Sequence, residues 1–251
     1  MSNIKSRFLT VLPVFNEAAT VDAVLDLVVK NAQDVLVVDD GSSDGTSELL
    51  NQRDDVIVLA HGANRGYGAA LSSGFQYALE NGYDVVVTID CDGQHEPQRI
   101  QGFVAELEST GADIISGSRY LEEFDKDTSA PAERKKINQI ITETIGTHMG
   151  IALTDAFCGF KAYRVQALES LKLTEPGYAM PLELWVQAAC AKLSVVEVPV
   201  PRIYLDENRS FGEDLDNADL RLKYYQQVIN RSIEALHDDD DCEKLKEQRV
   251  G

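Results

Sequence analysis

The stretch Asp84-Val85-Val86-Val87-Thr88-Ile89-Asp90-Cys91-Asp92-Gly93-Gln94 decides the fold. Val85, Val86, Val87 and Ile89 make a nearly continuous apolar run. Such a run reads as a strand covered on both faces, as in a parallel sheet sandwiched between helices. It stops at two carboxylates, Asp90 and Asp92. A carboxylate pair at the mouth of a buried strand is costly unless a cation compensates it. A divalent metal carrying a diphosphate is the natural candidate. Two Asp residues spaced i, i+2 are common by chance, so the pair needs support from the rest of the chain.

Working outward, strands and helices alternate. Phe8 to Leu12 reads as a strand ended by Pro13, and 17–32 as a helix with Val21, Val24, Leu25 and Val28 at helical spacing. Strands follow at 35–38, 56–59 and 114–116, with helices at 46–52, 66–81 and 97–109. This alternation predicts an α/β fold: a mostly parallel, Rossmann-like central sheet with helices on both faces. Ligands in such folds bind beyond the carboxyl ends of the strands. The polar clusters Asn16-Glu17, Asp39-Asp40, Asn64-Arg65 and Asp90-Asp92 each follow a predicted strand, so they should converge on one rim. Beyond Ser116 the pattern loosens. The charged segment 121–136 reads as a loop, either a lid over a ligand or simply solvated. Helices are expected at 137–150, 178–191 and 219–236, with a strand at 195–200. Residues 1–236 read as one domain, and 237–251, opening His237-Asp238-Asp239-Asp240-Asp241, as a charged, disordered tail.

Composition removes several classes. The 251 residues are 44% hydrophobic, enough for a sizeable core. The net charge of −19, from 42 acidic and 23 basic side chains, argues against nucleic acid as a partner and against electrostatic docking on an anionic membrane. Cys91, Cys158, Cys190 and Cys242 are scattered, which signals neither a zinc site nor a disulfide framework and fits a reduced, cytoplasmic setting. No apolar run approaches the ~20 residues that span a bilayer. Nothing fixes the oligomeric state, and a homo-oligomer stays open.

The individual motifs are ambiguous. Asp39-Asp40-Gly41-Ser42 could hold a base or ribose, or could be an ordinary βα turn. Pro13-Val14-Phe15-Asn16-Glu17 could pack on a base, or could start a helix with an acid at its positive end. Asn64-Arg65-Gly66-Tyr67-Gly68 could cradle a phosphate at a helix N-terminus, although it is neither G-x-G-x-x-G nor a Walker A loop. His95 finds no partner at metal-ligand spacing in His61, His148 or His237, and reads as a residue shaping the loop. Tyr77, Tyr224 and Tyr225 read as helix-face residues.

Taken in order, these segments, with Gly117-Ser118-Arg119-Tyr120 and Asp155-Ala156-Phe157-Cys158-Gly159-Phe160-Lys161, resemble glycosyltransferase family 2 and its GT-A fold. Within it they resemble the dolichyl-phosphate mannose synthase and polyprenyl-phosphate glycosyltransferase branch. The resemblance covers 8–212. It implies that Pro13, Phe15, Glu17, Asp40, Asp90 and Cys91 line the nucleotide-sugar site. Asp90 and Asp92 would be the D-x-D motif, with Asp92 and Gln94 on Mg²⁺ or Mn²⁺. Arg119 would meet the donor diphosphate or sugar. Arg202 would be the first of a late basic pair on the phosphates, and Arg209, offset by one residue, the nearest candidate for the second. Phe15 stands where the family usually has Tyr, keeping the ring without the hydroxyl.

The reaction so implied is an inverting displacement at the anomeric carbon of a hexose, with a nucleoside diphosphate as leaving group. A lipid-phosphate acceptor is already anionic and needs no general base. A sugar hydroxyl needs one, and Asp155 and Glu183 are the candidates. The resemblance favours GDP-mannose as donor, then UDP-glucose, and a polyprenyl or dolichyl phosphate as acceptor. The acceptor would be reached by peripheral membrane contact or through a membrane subunit. The alternatives are a UDP-glucose-dependent transferase to a soluble acceptor, a sugar-nucleotide pyrophosphorylase and a non-catalytic sugar-nucleotide binder. Leu12-Pro13-Val14-Phe15-Asn16 lacks the Gly-rich loop and Lys of the pyrophosphorylases. The joint presence of Asp90, Asp92, Gln94 and Arg119 speaks against the binder.

Overall fold

The computed structural model describes residues 5–204 and 216–236. Arg209 and the tail 237–251 lie outside them. Seven strands form one sheet in the order β3-β2-β1-β4-β6-β5-β7. They are β1 (Phe8–Val14), β2 (Asp34–Asp39), β3 (Ile57–Ala60), β4 (Val85–Thr88), β5 (Ile114–Ser118), β6 (Lys161–Arg164) and β7 (Val195–Pro199). The helices are α1 (Val21–Val28), α2 (Thr46–Leu50), α3 (Tyr67–Glu80), α4 (Ile100–Thr110), α5 (Ala132–Met149), α6 (Val165–Leu168), α7 (Met180–Cys190) and α8 (Ala218–Ala235).

The side-chain period of a strand divides the core into two. On β1, β2 and β4, Leu9, Val11, Leu36, Val38 and Val86 face α3 and α5–α8. Their neighbours Phe8, Leu12, Val35, Val37, Val85 and Val87 face α1, α2 and α4. Both faces are therefore covered, which explains why the strands read as unbroken apolar runs. Among the described residues no helix is long and apolar enough to cross a membrane.

Several features depart from the sequence reading. Pro13 does not end β1. It lies inside the strand, beyond Val11↔Thr88 where pairing with β4 stops, so its missing N–H breaks no ladder on that side. Next, β6 was not visible in the sequence. It runs antiparallel between β4 and β5, and its four residues are too few to show a period. Last, Ala132–Lys136, expected in a loop, is the first turn of α5. Pro131 at its N-cap and Glu133 in its first turn are start signals hidden within the charged run. Cys190 is disulfide-bonded, contrary to the reduced reading, whereas Cys91 and Cys158 are free and buried.

From β1 the chain steps outward through β2 to β3 and then returns to place β4 on the other side of β1. The crevice between the carboxyl ends of β1 and β4 is thus a topological switch point, where open α/β sheets bind ligands.

Trp185 of α7 is fully buried, and its Nε1–H donates to the Ala156 carbonyl at 3.0 Å. This bond fastens the 155–160 segment to the core. Trp185→Ala should lower unfolding stability by about 3–5 kcal/mol. Trp185→Phe, which keeps most of the volume but strands the carbonyl, should lose about 1–3 kcal/mol. Urea unfolding followed by circular dichroism measures both.

Candidate active site

A cleft of about 890 Å³ opens at the switch point. Pro13 within the end of β1, Phe15 and Glu17 after it, Asp40 after β2, Asp90, Cys91, Asp92 and Gln94 after β4, and Arg119 after β5 all line it. The residues named from the sequence are therefore brought together, apart from four.

Two of the exceptions are the candidate bases. Asp155 is fully buried and does not line the cleft. Its carboxylate receives a bidentate grip from Arg119, Nε–H to Oδ2 at 2.6 Å and Nη2–H to Oδ1 at 2.9 Å. The backbone N–H groups of Arg119 and Phe157 add 3.2 and 3.1 Å contacts. Burial pushes the Asp155 pKa up, but the adjacent guanidinium outweighs it and holds the group below the usual carboxylate range. Such a carboxylate is a poor proton acceptor. Glu183 lies in the first turn of α7 and is also buried. It accepts from the Thr174 N–H, the Thr174 hydroxyl and the Glu175 N–H at 2.7–2.8 Å, capping that loop instead of facing the cleft.

Arg202 is the third exception. Its Nε–H donates to the Thr128 carbonyl at 2.9 Å, and its guanidinium lies 3.6 Å from Asp127. It clamps the 124–128 segment against the chain after β7 and lies behind the Arg119 carbonyl and the Tyr120 ring, outside the cleft lining itself. Arg209 is the fourth, outside the described residues. Among the described residues the arginines lining the cleft are instead Arg119, Arg134 at the start of α5, and Arg221 on α8. Arg134 was hidden in the charged run, and Arg221 in a helix with no motif. Tyr67, Asn138, Tyr178, Tyr204 and Tyr225 also line the cleft. Tyr225 is a helix-face residue of α8, as expected, and in addition lines the cleft. A stretch of neighbouring Tyr residues carries no periodic signal for this.

The carboxylate loop is built from close backbone approaches. Asp90 accepts from the Tyr67 hydroxyl at 3.0 Å and lies 3.3 Å from His95 Nε2. Asp92 accepts from the Gln94 N–H at 2.9 Å, folding the loop on itself. Gly159 packs directly under Asp90, where a Cβ would fall 2.2 Å from Oδ2. Gly66, at φ +103°, enters α3 where a Cβ would fall 2.3 Å from the Pro176 carbonyl. Only glycine fits either place without moving backbone or carboxylate. Among the described residues no three His, Cys, Asp or Glu side chains converge on a metal position. An ion at Asp92 and Gln94 would therefore complete its shell with donor phosphate oxygens and water, the usual habit of Mg²⁺. Both residues line the cleft of about 890 Å³, which has room for those ligands.

Known proteins fit this geometry. The family model for glycosyl transferase family 2 matches residues 10–172. The chain belongs to glycosyl transferase family 2. It is 33% identical over 218 residues to an undecaprenyl-phosphate mannosyltransferase of Micrococcus luteus, covering 82% of this chain and 86% of the relative. It is 32% identical over 208 residues to a polyprenol monophosphomannose synthase of Mycolicibacterium smegmatis, covering 77% and 76%. A UDP-N-acetylglucosamine–dolichyl-phosphate N-acetylglucosaminyltransferase of Methanococcus voltae is 28% identical over 229 residues, covering 82% and 89%. The fold is the GT-A fold. The structure of glucosyl-3-phosphoglycerate synthase from Mycobacterium tuberculosis with Mn²⁺, UDP and glucosyl-3-phosphoglycerate superposes with a TM-score of 0.69 at 18% identity. That match covers 91% of this chain and 80% of the other. This family 2 chain is a glycosyltransferase.

The Arg119–Asp155 pair gives a pH signature. A carboxyl whose pKa is depressed in the fold adds stability above its unfolded value, and that stability disappears as pH falls through the folded value. Wild type should therefore lose stability progressively below about pH 4. Asp155→Ala, which leaves Arg119 with no buried counter-charge, should be about 3–5 kcal/mol less stable at pH 7 and lose less on acidification. Urea melts across the pH range check both.

Proposed function

We propose that this glycosyltransferase moves a hexose from a nucleoside-diphosphate sugar to a polyprenyl or dolichyl phosphate. One observation carries the reading. The two carboxylates named as candidate bases, Asp155 and Glu183, are both committed to protein partners and do not line the cleft. The cleft offers Arg119, Arg134 and Arg221 instead, beside apolar Ile137, Pro181 and Ile203. An acceptor that is already anionic needs no base, and arginines bind phosphate by paired N–H donors. The names of the polyprenyl- and dolichyl-phosphate relatives support the same acceptor class. Those of the first two support mannose, so GDP-mannose is the first donor to test and UDP-glucose the second.

In this reading the base and ribose lie among Pro13, Phe15, Glu17 and Asp40, and the diphosphate lies over the 90–95 loop. Asp92 and Gln94 would hold Mg²⁺ or Mn²⁺, which neutralises charge on the departing diphosphate. Arg119 is oriented by its fork to Asp155 and keeps its remaining N–H donors for the donor phosphates or sugar. Arg134 and Arg221 position the acceptor phosphate so that its oxygen enters opposite the leaving group, with inversion. The apolar residues take the first part of the lipid, which implies peripheral contact with a membrane.

The test is transfer of radiolabelled sugar into a solvent-extractable polyprenyl phosphate, with each donor and with Mn²⁺ or Mg²⁺. Asp92→Asn should lower turnover by roughly 100-fold. Arg134→Ala should raise the KM for lipid phosphate by about tenfold, the size of a lost hydrogen bond to a charged group, and leave the donor KM nearly unchanged. Label that reaches only a soluble hydroxyl acceptor would overturn the reading.

A further inference from the structure

His61 has no place in the reading so far, yet it is almost fully enclosed at the end of β3. Its Nδ1 lies 2.6 Å from Asp40 Oδ1, and its Nε2 lies 3.0 Å from the Ser73 hydroxyl of α3. Asp40 lines the cleft, whereas His61 and Ser73 do not. Ser73 instead lines a second cavity of about 510 Å³ on the outer side of α3. The ring is thus held at both ends behind a residue of the donor pocket.

The neighbouring carboxylates show why this matters. Asp39 is satisfied locally, by the Ser42 N–H of the turn and the Ser47 hydroxyl at the start of α2. Asp40 reaches across to other elements. Oδ1 accepts from the Arg65 N–H at 2.9 Å and Oδ2 from the Gly66 N–H at 2.7 Å. Those donors are main chain and belong to the loop that enters α3. His61 is the side-chain donor in this set. With two N–H groups already around it the carboxylate is the acceptor, so Nδ1 carries the proton. A carboxylate offers about four acceptor positions, and the three donors among the described residues leave one for a ligand.

We infer that His61 is a positioning residue for the donor: it fixes the rotamer of Asp40 and leaves one acceptor position of that carboxylate open toward the nucleotide. This rests on the proposed placement of the nucleotide against Asp40. Ser73 of α3 holds the other ring nitrogen in turn.

Side-chain replacement separates this role from mere packing. Asn places its amide N–H₂ close to the position of Nδ1, and Gln places its own nearer Nε2. Both lose the imidazole. His61→Asn should keep the donor KM within about threefold of wild type. His61→Gln and His61→Leu should raise it about tenfold, the scale of a lost hydrogen bond to a charged group, with kcat changed less than twofold. Steady-state transfer and titration with the matching nucleoside diphosphate give both quantities, and circular dichroism confirms that each variant is folded. If the Leu variant does not fold, the Asn-against-Gln comparison decides alone. Equal donor KM for Asn and Gln, whether at the wild-type value or raised together, would overturn the inference, as would a loss confined to kcat. Wild type that binds no nucleoside diphosphate would overturn the donor-site reading itself, and this inference with it.

Discussion

Asp155 is sealed from solvent, and its charge is tolerable only because Arg119 meets it with two parallel N–H donors. The contact ties the end of β5 to the segment that precedes β6. That segment continues through Ala156, held by Trp185, to Gly159, whose backbone lies against Asp90. Thr88 of β4 donates to the Gly159 carbonyl at 2.7 Å, closing the circuit back to the strand that ends in the carboxylate pair. Lys161, buried beside Trp185, donates to the Cys158 carbonyl in the same turn. The floor of the 90–95 loop and the aim of Arg119 are therefore set by one connected assembly.

That assembly bears directly on the chemistry. A carboxylate committed to an arginine is strongly held in its ionised form, but it is not free to take a proton from an entering hydroxyl. The proposed division of labour follows: arginines for phosphates, the acidic loop for the metal-carrying donor, and an acceptor that arrives already charged. The net charge of −19 coexists with this because Arg119, Arg134 and Arg221 all line the cleft.

Much of this was legible in the sequence, and the limits have physical causes. The apolar runs at β1, β2 and β4 announced a two-sided sheet because both faces are covered. The polar clusters after those strands announced the rim because connectivity forces successive strand ends together. What escaped was partnership. Asp155 and Glu183 look alike as acidic residues near motifs, and only packing reveals that one is paired with Arg119 and the other caps the Thr174–Glu175 loop. Arg202 matched a phosphate-binding position, yet its guanidinium is turned onto the Thr128 carbonyl and Asp127. Arg134 was invisible because a helix start within a charged run has little hydrophobic period. The short antiparallel β6 was missed for a similar reason.

The most direct measurement is a crystal structure with a nucleoside diphosphate, Mn²⁺ and a short-chain polyprenyl phosphate bound together. The account predicts that the Arg119–Asp155 fork stays intact, that Mn²⁺ scattering appears at Asp92 and Gln94, and that the acceptor phosphate lies against Arg134 and Arg221. An Asp155 or Glu183 carboxylate released from its partners and within hydrogen-bond reach of the attacking oxygen would contradict it.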